Sequence, residues 1–116
     1  MANAKSGEAA SLPRDPLNVR MRQLPWGQLT DLTPVPVAMA QARAKIEAML
    51  LEAGYVRGQP DRQMTVEQAK RIGAAEVYFR SEARLPCGNS FIVFVTFDDQ
   101  NRLIRAEGIT HEAGCL

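Results

Sequence analysis

One stretch of the chain, Ser90-Phe91-Ile92-Val93-Phe94-Val95-Thr96-Phe97, is apolar at both alternating sets of positions. Phe91, Val93, Val95 and Phe97 form one set; Ile92 and Phe94 form the other. A strand wetted on one side alternates apolar with polar residues. This pattern therefore predicts a strand through the middle of a small sheet, with both faces at least partly covered. A strand over about 76–83 puts Val77 and Phe79 on one face, with Tyr78, Arg80 and Glu82 on the other and Arg84 beyond them. Another, over about 102–109, puts Leu103 and Ile109 on one face and Ile104 and Ala106 on the other. Between the last two strands, Asp98-Asp99-Gln100-Asn101 reads as a hairpin turn, because Asp and Asn tolerate turn geometry.

The hydrophobic period changes upstream. Met39, Ala42, Ile46, Met49, Leu50 and Ala53 recur at three- and four-residue spacings, the signature of a helix with one buried face. Thr33 suits its N-cap, Pro34 its first position and Gly54 a left-handed stop, which predicts a helix over about 34–53. Thr65-Val66-Glu67-Gln68 is a capping box opening a second helix over about 66–72, too short to stand without packing through Val66, Ala69 and Ile72. Residues 1–24 carry no sustained period and read as a flexible arm. The expected architecture is thus one α+β domain over 25–116, with two N-terminal helices packed on a three-stranded antiparallel meander. Trp26 either covers the edge of the core or serves as a hook for a partner.

The totals narrow the function classes. At 116 residues the chain suits one domain with a modest core. Fourteen Lys and Arg against thirteen Asp and Glu leave a formal charge of +1. The longest basic grouping, Arg20-Met21-Arg22, is too short to track phosphates, so no nucleic-acid partner is expected. No run approaches the ~18 apolar residues of a membrane span, and the N-terminus lacks the apolar core of a signal peptide. The protein is then either intracellular or a mature fragment whose export signal has been removed.

The two cysteines are the most specific chemical feature. If the last hairpin pairs Phe97 with Arg102, Cys87 lies opposite Glu112, three residues short of Cys115. Both then sit just outside the ladder at one end of the sheet, where loop freedom can bring their Cα atoms to the ~5.5 Å of a disulfide. Such a bridge would contribute about 3.5 kcal/mol in the chain-entropy model and imply an oxidising compartment. The alternative is two thiols in a reducing cytosol.

Other chemistry is set aside. His111, with Glu112 beside it and Cys115 four residues on, suggests an activated thiolate or a metal cluster. Structural zinc needs four ligands, however, and a nucleophile one residue from the chain end is hard to hold in register. His111 is read as a solvated tail residue, Asp98 and Asp99 as turn formers, and the methionines as packing. No enzyme activity, cofactor or metal is expected. Tyr78, Arg80, Arg102 and Arg105 decorate strands on what reads as a solvated or recognition face, left open by helices packed on the other side.

Met64-Thr65-Val66-Glu67-Gln68, Val77-Tyr78-Phe79 and Val95-Thr96-Phe97-Asp98-Asp99-Gln100-Asn101-Arg102-Leu103 together resemble the small outer-membrane assembly lipoproteins of the SmpA/OmlA type, and more loosely the beta-lactamase-inhibitor-like domains. That family similarly has a Met-Thr helix start, an aromatic strand and a strand ending Phe-Asp before a turn. The resemblance covers about residues 64–109; at Gln63 the family has Gly. It implies a periplasmic, outer-membrane-associated and non-enzymatic domain, lipid-anchored in its full-length form, that binds another envelope protein. The rival readings are a cytosolic binding or accessory protein, and an inhibitor or immunity-type protein that uses the open sheet face.

Overall fold

The computed structural model describes residues 16–32, 42–58, 76–82 and 87–115, with the backbone alone at 87 and 113–115. In chain order the elements are helix α1 (Pro16–Arg22), strand β1 (Thr30–Asp31), helix α2 (Arg43–Glu52), and strands β2 (Val56–Arg57), β3 (Glu76–Glu82), β4 (Cys87–Phe97) and β5 (Leu103–Cys115). The strands form one antiparallel sheet in the order β1-β5-β4-β3-β2. β4 is its centre. Phe91, Val93 and Val95 enter a buried cluster with residues of both helices, while Ile92 and Phe94 enter a second cluster with Val77 and Ile109. Because β4 has a strand on each side and apolar side chains on each face, its sequence shows no polar alternation.

This corrects the expected three-stranded meander under two N-terminal helices. The sheet has five strands, because the two-residue strands β1 and β2 add to its edges. Segments so short carry no readable alternation. Two of the meander strands are also longer than expected: β4 begins at Cys87 rather than about 90, and β5 runs to Cys115 rather than about 109. The helix expected over 34–53 begins only at Arg43. Ala42 is extended (ψ 146°) and bridges to Arg102, and the Arg43 N–H donates to the Asn101 carbonyl at 2.7 Å. The proposed cap at Thr33 and Pro34 and the helix over 66–72 lie outside the described residues.

The end of α2 follows from local rules. Gly54 (φ 94°) sits just past the cap residue Ala53. Its N–H donates to the Leu51 carbonyl and that of Tyr55 to the Leu50 carbonyl, each at 3.0 Å. This double closure satisfies two orphan carbonyls, and it needs a residue in left-handed conformation. Leu50 and Tyr55, both buried, supply the apolar contact that accompanies it. At the end of the sheet that meets the start of α2, Asp98 Oδ1 accepts from the Gln100 and Arg102 N–H groups, and Asn101 takes φ 62° to close the β4–β5 hairpin.

The expectation of a flexible arm over 1–24 is corrected for its described part, residues 16–24. Pro16–Arg22 is helical, with Leu17, Asn18 and Met21 buried. Positions 17, 18, 21 and 22 share one helical face. Asn18 Nδ2 donates to the Ala53 carbonyl at 3.1 Å, and Arg22 pairs with Glu82 through both carboxylate oxygens. Met21 lies over Gly108 of β5, where a Cβ would meet its Sδ at 2.9 Å and Leu32 Cδ1 at 3.0 Å. Gly108 thus permits the close approach of α1 to the sheet. Among the described residues no helix is long and apolar enough to cross a membrane.

Candidate functional site

The segment after α1 turns along the outer edge of β5. Leu24 packs against the helix-side cluster, Leu29 against the opposite cluster, and Leu32 is fully buried. The segment is tied to β5 at several points. The Gly27 N–H donates to the Thr110 carbonyl at 2.8 Å, Trp26 bridges to Thr110, Thr30 and Asp31 pair with Gly108 and Glu107, and the Leu32 N–H donates to the Ala106 carbonyl at 2.9 Å. Behind it, Thr110 Oγ1 donates to the Met21 carbonyl at 2.7 Å.

Trp26 therefore has a fixed backbone, yet its residue surface is 55% exposed. The side chains that cover the core edge here are Leu24 and Leu29, so Trp26 is not a core lid. It forms one wall of an open depression of about 370 Å³, lined also by Gly27, His111 and Glu112. His111 is buried within β5, opposite the buried Ser90, with its Nδ1 3.3 Å from the Glu112 carbonyl oxygen. The reading of His111 as a solvated tail residue is corrected: β5 continues through it. Trp26 supplies its aromatic face, while His111 and Glu112, successive residues of β5, send their side chains to opposite faces of the sheet. The depression can take an apolar side chain, or one with a cationic or N–H-bearing end.

The structure does not bring the other expected binding residues to this place or to one another. Tyr78 is buried among the helix-side residues, not solvated. Burial, with the Glu47 and Glu76 carboxylates nearby, pushes its hydroxyl up to about 12. The helices pack on the face that carries Tyr78, the reverse of the expected arrangement. Arg80 shares that face, with its side chain largely covered, 3.4 Å from Glu82 and close over Gly54. Arg105 is half exposed and pairs with Glu107 at 3.5 Å. Its ladder partner is Thr96, which lies on the opposite face from Val93 and Val95. Arg102 is exposed at the hairpin, where its backbone bridges to Ala42. The expected open sheet face is corrected as well: Val77, Ile92, Phe94 and Ile109 on it are all buried.

Charged side chains gather instead where α2 meets β3. Arg43 and Arg57 both pair with the Glu76 carboxylate, and both lie near Glu47. The Arg43 guanidinium also sits 4.6 Å from the centre of the Phe97 ring. These ion pairs and the ring contact join α2, β2, β3 and β4 at one end of the sheet. The sequence does not single out this cluster, and it brings His111 and Glu112 forward only as a thiolate or metal candidate that is set aside, not as the wall of a binding depression. The period-2 continuation Ile109-Thr110-His111 was the available signal for that wall.

The two cysteines meet in the backbone. Cys87 and Cys115 are Cα partners at the end of the β4–β5 ladder. No protein-family model, curated protein or solved structure matches this chain.

Proposed function

We propose that the chain is a non-enzymatic protein-interaction domain of the bacterial cell envelope that grips a partner protein at the Trp26 depression. The observation that carries this reading is a tryptophan more than half exposed on a backbone tied to β5 from Gly27 to Leu32. Leaving so large an apolar ring in water forgoes about 1.5–3 kcal/mol of burial, and tryptophan is the residue type most enriched where partners bind tightly. A fixed backbone also lowers the ordering cost of binding. The partner segment that suits these walls carries a Lys, Arg or amide side chain, which Trp26 and Glu112 receive from two sides. The placement in the envelope is supported by the resemblance of residues 64–109 to outer-membrane assembly lipoproteins and by the opposed cysteines. The test is affinity copurification of the exported chain beside its Trp26→Ala variant. The reading expects a discrete protein recovered with the former and lost with the latter at unchanged thermal stability. Recovery of the same proteins with both variants would overturn it.

A further inference from the structure

We infer that Cys87 and Cys115 form a cross-strand disulfide that clamps the wall of the Trp26 depression, so that binding there depends on oxidation. The pairing rests on the register alone. Directly opposed residues of an antiparallel ladder have Cα atoms about 4.5 or 5.5 Å apart, according to the kind of pair. Both distances fall inside the roughly 4.4–6.8 Å that a disulfide spans. Opposed Cβ atoms lie about 4.5–5.5 Å apart across a ladder, against about 3.5–4.5 Å in a disulfide, so a small closing of the ladder end joins them.

The position of the bond gives it a consequence. Among the described residues, β5 has a neighbour on each side only as far as Thr110, where Trp26 bridges to it. From His111 to Cys115 its described strand neighbour is β4 alone. That length includes His111 and Glu112, which line the depression with Trp26 and Gly27 among the described residues. It also includes a bulge at Ala113, because Glu112 pairs with Asn89 while Gly114 pairs with Gly88. A strand end held from one side and interrupted by a bulge is where a sheet opens first. A covalent bond at the last ladder position closes that end.

Bond formation follows thiol–disulfide exchange. The thiolate of one cysteine attacks the disulfide of a thiol–disulfide oxidoreductase and gives a mixed disulfide. The second cysteine's thiolate then displaces the carrier sulfur. The two thiols lose two protons and two electrons in all, the Cys87–Cys115 bond forms, and the carrier disulfide leaves as a dithiol. A small-molecule dithiol reverses the sequence.

The consequence for binding rests on the reading of the Trp26 depression, but the bond does not, and the experiment separates them. The full chain, exported to an oxidising compartment, is alkylated while folded, before and after dithiol treatment, and weighed intact. The expected result is no adduct before reduction and two after it; labelling of both thiols before reduction would overturn the inference. Hydrogen exchange is then followed in the oxidised and reduced protein and in the Cys87→Ser/Cys115→Ser variant. Amides 111–114 are expected to exchange at least about 10-fold faster without the bond, while those of 91–95 change little. Equal exchange at 111–114 would overturn the clamp even if the bond is present. Capture of the same partner by oxidised and reduced protein alike would overturn the oxidation dependence and leave the binding reading standing.

Discussion

Thr110 Oγ1 donates a 2.7 Å hydrogen bond to the carbonyl of Met21, the penultimate residue of α1. The same Thr110 offers its backbone to Trp26 and Gly27. One residue of β5 therefore holds both the end of α1 and the start of the segment that presents Trp26. Thr110→Val keeps the shape and the strand preference but removes the donor. The Met21 carbonyl also accepts from the Leu24 N–H at 3.3 Å, so it is not left wholly unpaired. The expected loss is about 1 kcal/mol, measurable by urea denaturation, together with faster hydrogen exchange over 16–24.

Gly108 is the point at which α1 touches the sheet. Met21 and Leu32, whose atoms lie 2.9–3.1 Å from a Cβ built there, are both fully buried and have little room to retreat. Gly108→Ala is expected to destabilise by about 1–3 kcal/mol, against the gain that alanine ordinarily brings to a strand. In a thermal melt the change would read as a drop of at least several degrees. An unchanged or higher melting temperature would show that α1 is not seated as described.

Tyr78 links pH to stability. Its hydroxyl is pushed up to about 12 in the folded chain, from 10.0, first by burial and then by Glu47 and Glu76. The neutral form is the one the fold accepts. The contribution is thus complete below pH 10 and is lost as pH rises from 10 to 12, because the unfolded chain releases the proton first. The full loss is on the order of 2–3 kcal/mol. Urea midpoints followed from pH 9 to 12 should fall more steeply for the unaltered chain than for Tyr78→Phe. Parallel curves would remove the assignment.

Trp26 offers a direct contrast between a core residue and a presented one. Truncating a core tryptophan costs about 3–5 kcal/mol, whereas most exposed substitutions stay within about 0.5 kcal/mol. With Leu24 and Leu29 covering the core edge, Trp26→Ala is expected near the lower figure. A loss above about 2 kcal/mol in chemical denaturation would return Trp26 to the core.

The legible parts of this fold are those written in a long repeating pattern. The two apolar faces of residues 90–97 marked the central strand, and Gly54 marked the end of α2. What was missed has local causes. A bulge at Ile104 lets Leu103 pair with Phe97 and Arg105 with Thr96, which reverses the expected faces of the last strand. Leu103 and Ala106 consequently share the helix side, Ile109 faces away, and Ile104 is left exposed. The three residues by which Cys87 and Cys115 failed to match are recovered in the same way. One comes from the hairpin closing at Leu103 instead of Arg102, and one from each of the bulges at Ile104 and Ala113. Bulges, two-residue edge strands and a seven-residue helix leave no period to read. The Trp26 depression was only half visible for that reason, since its second wall depends on β5 continuing past residue 109.

The measurement that bears most directly on the binding account is photocrosslinking in the cell from a single position. A photoreactive phenylalanine analogue replaces Trp26 in one version of the exported chain and Ile104, equally exposed, in another. One discrete protein adduct is expected from position 26, weakened by Glu112→Lys, and none of the same mass from position 104. Adducts identical at both positions, or none at position 26 while the chain is folded and exported, would contradict the binding account.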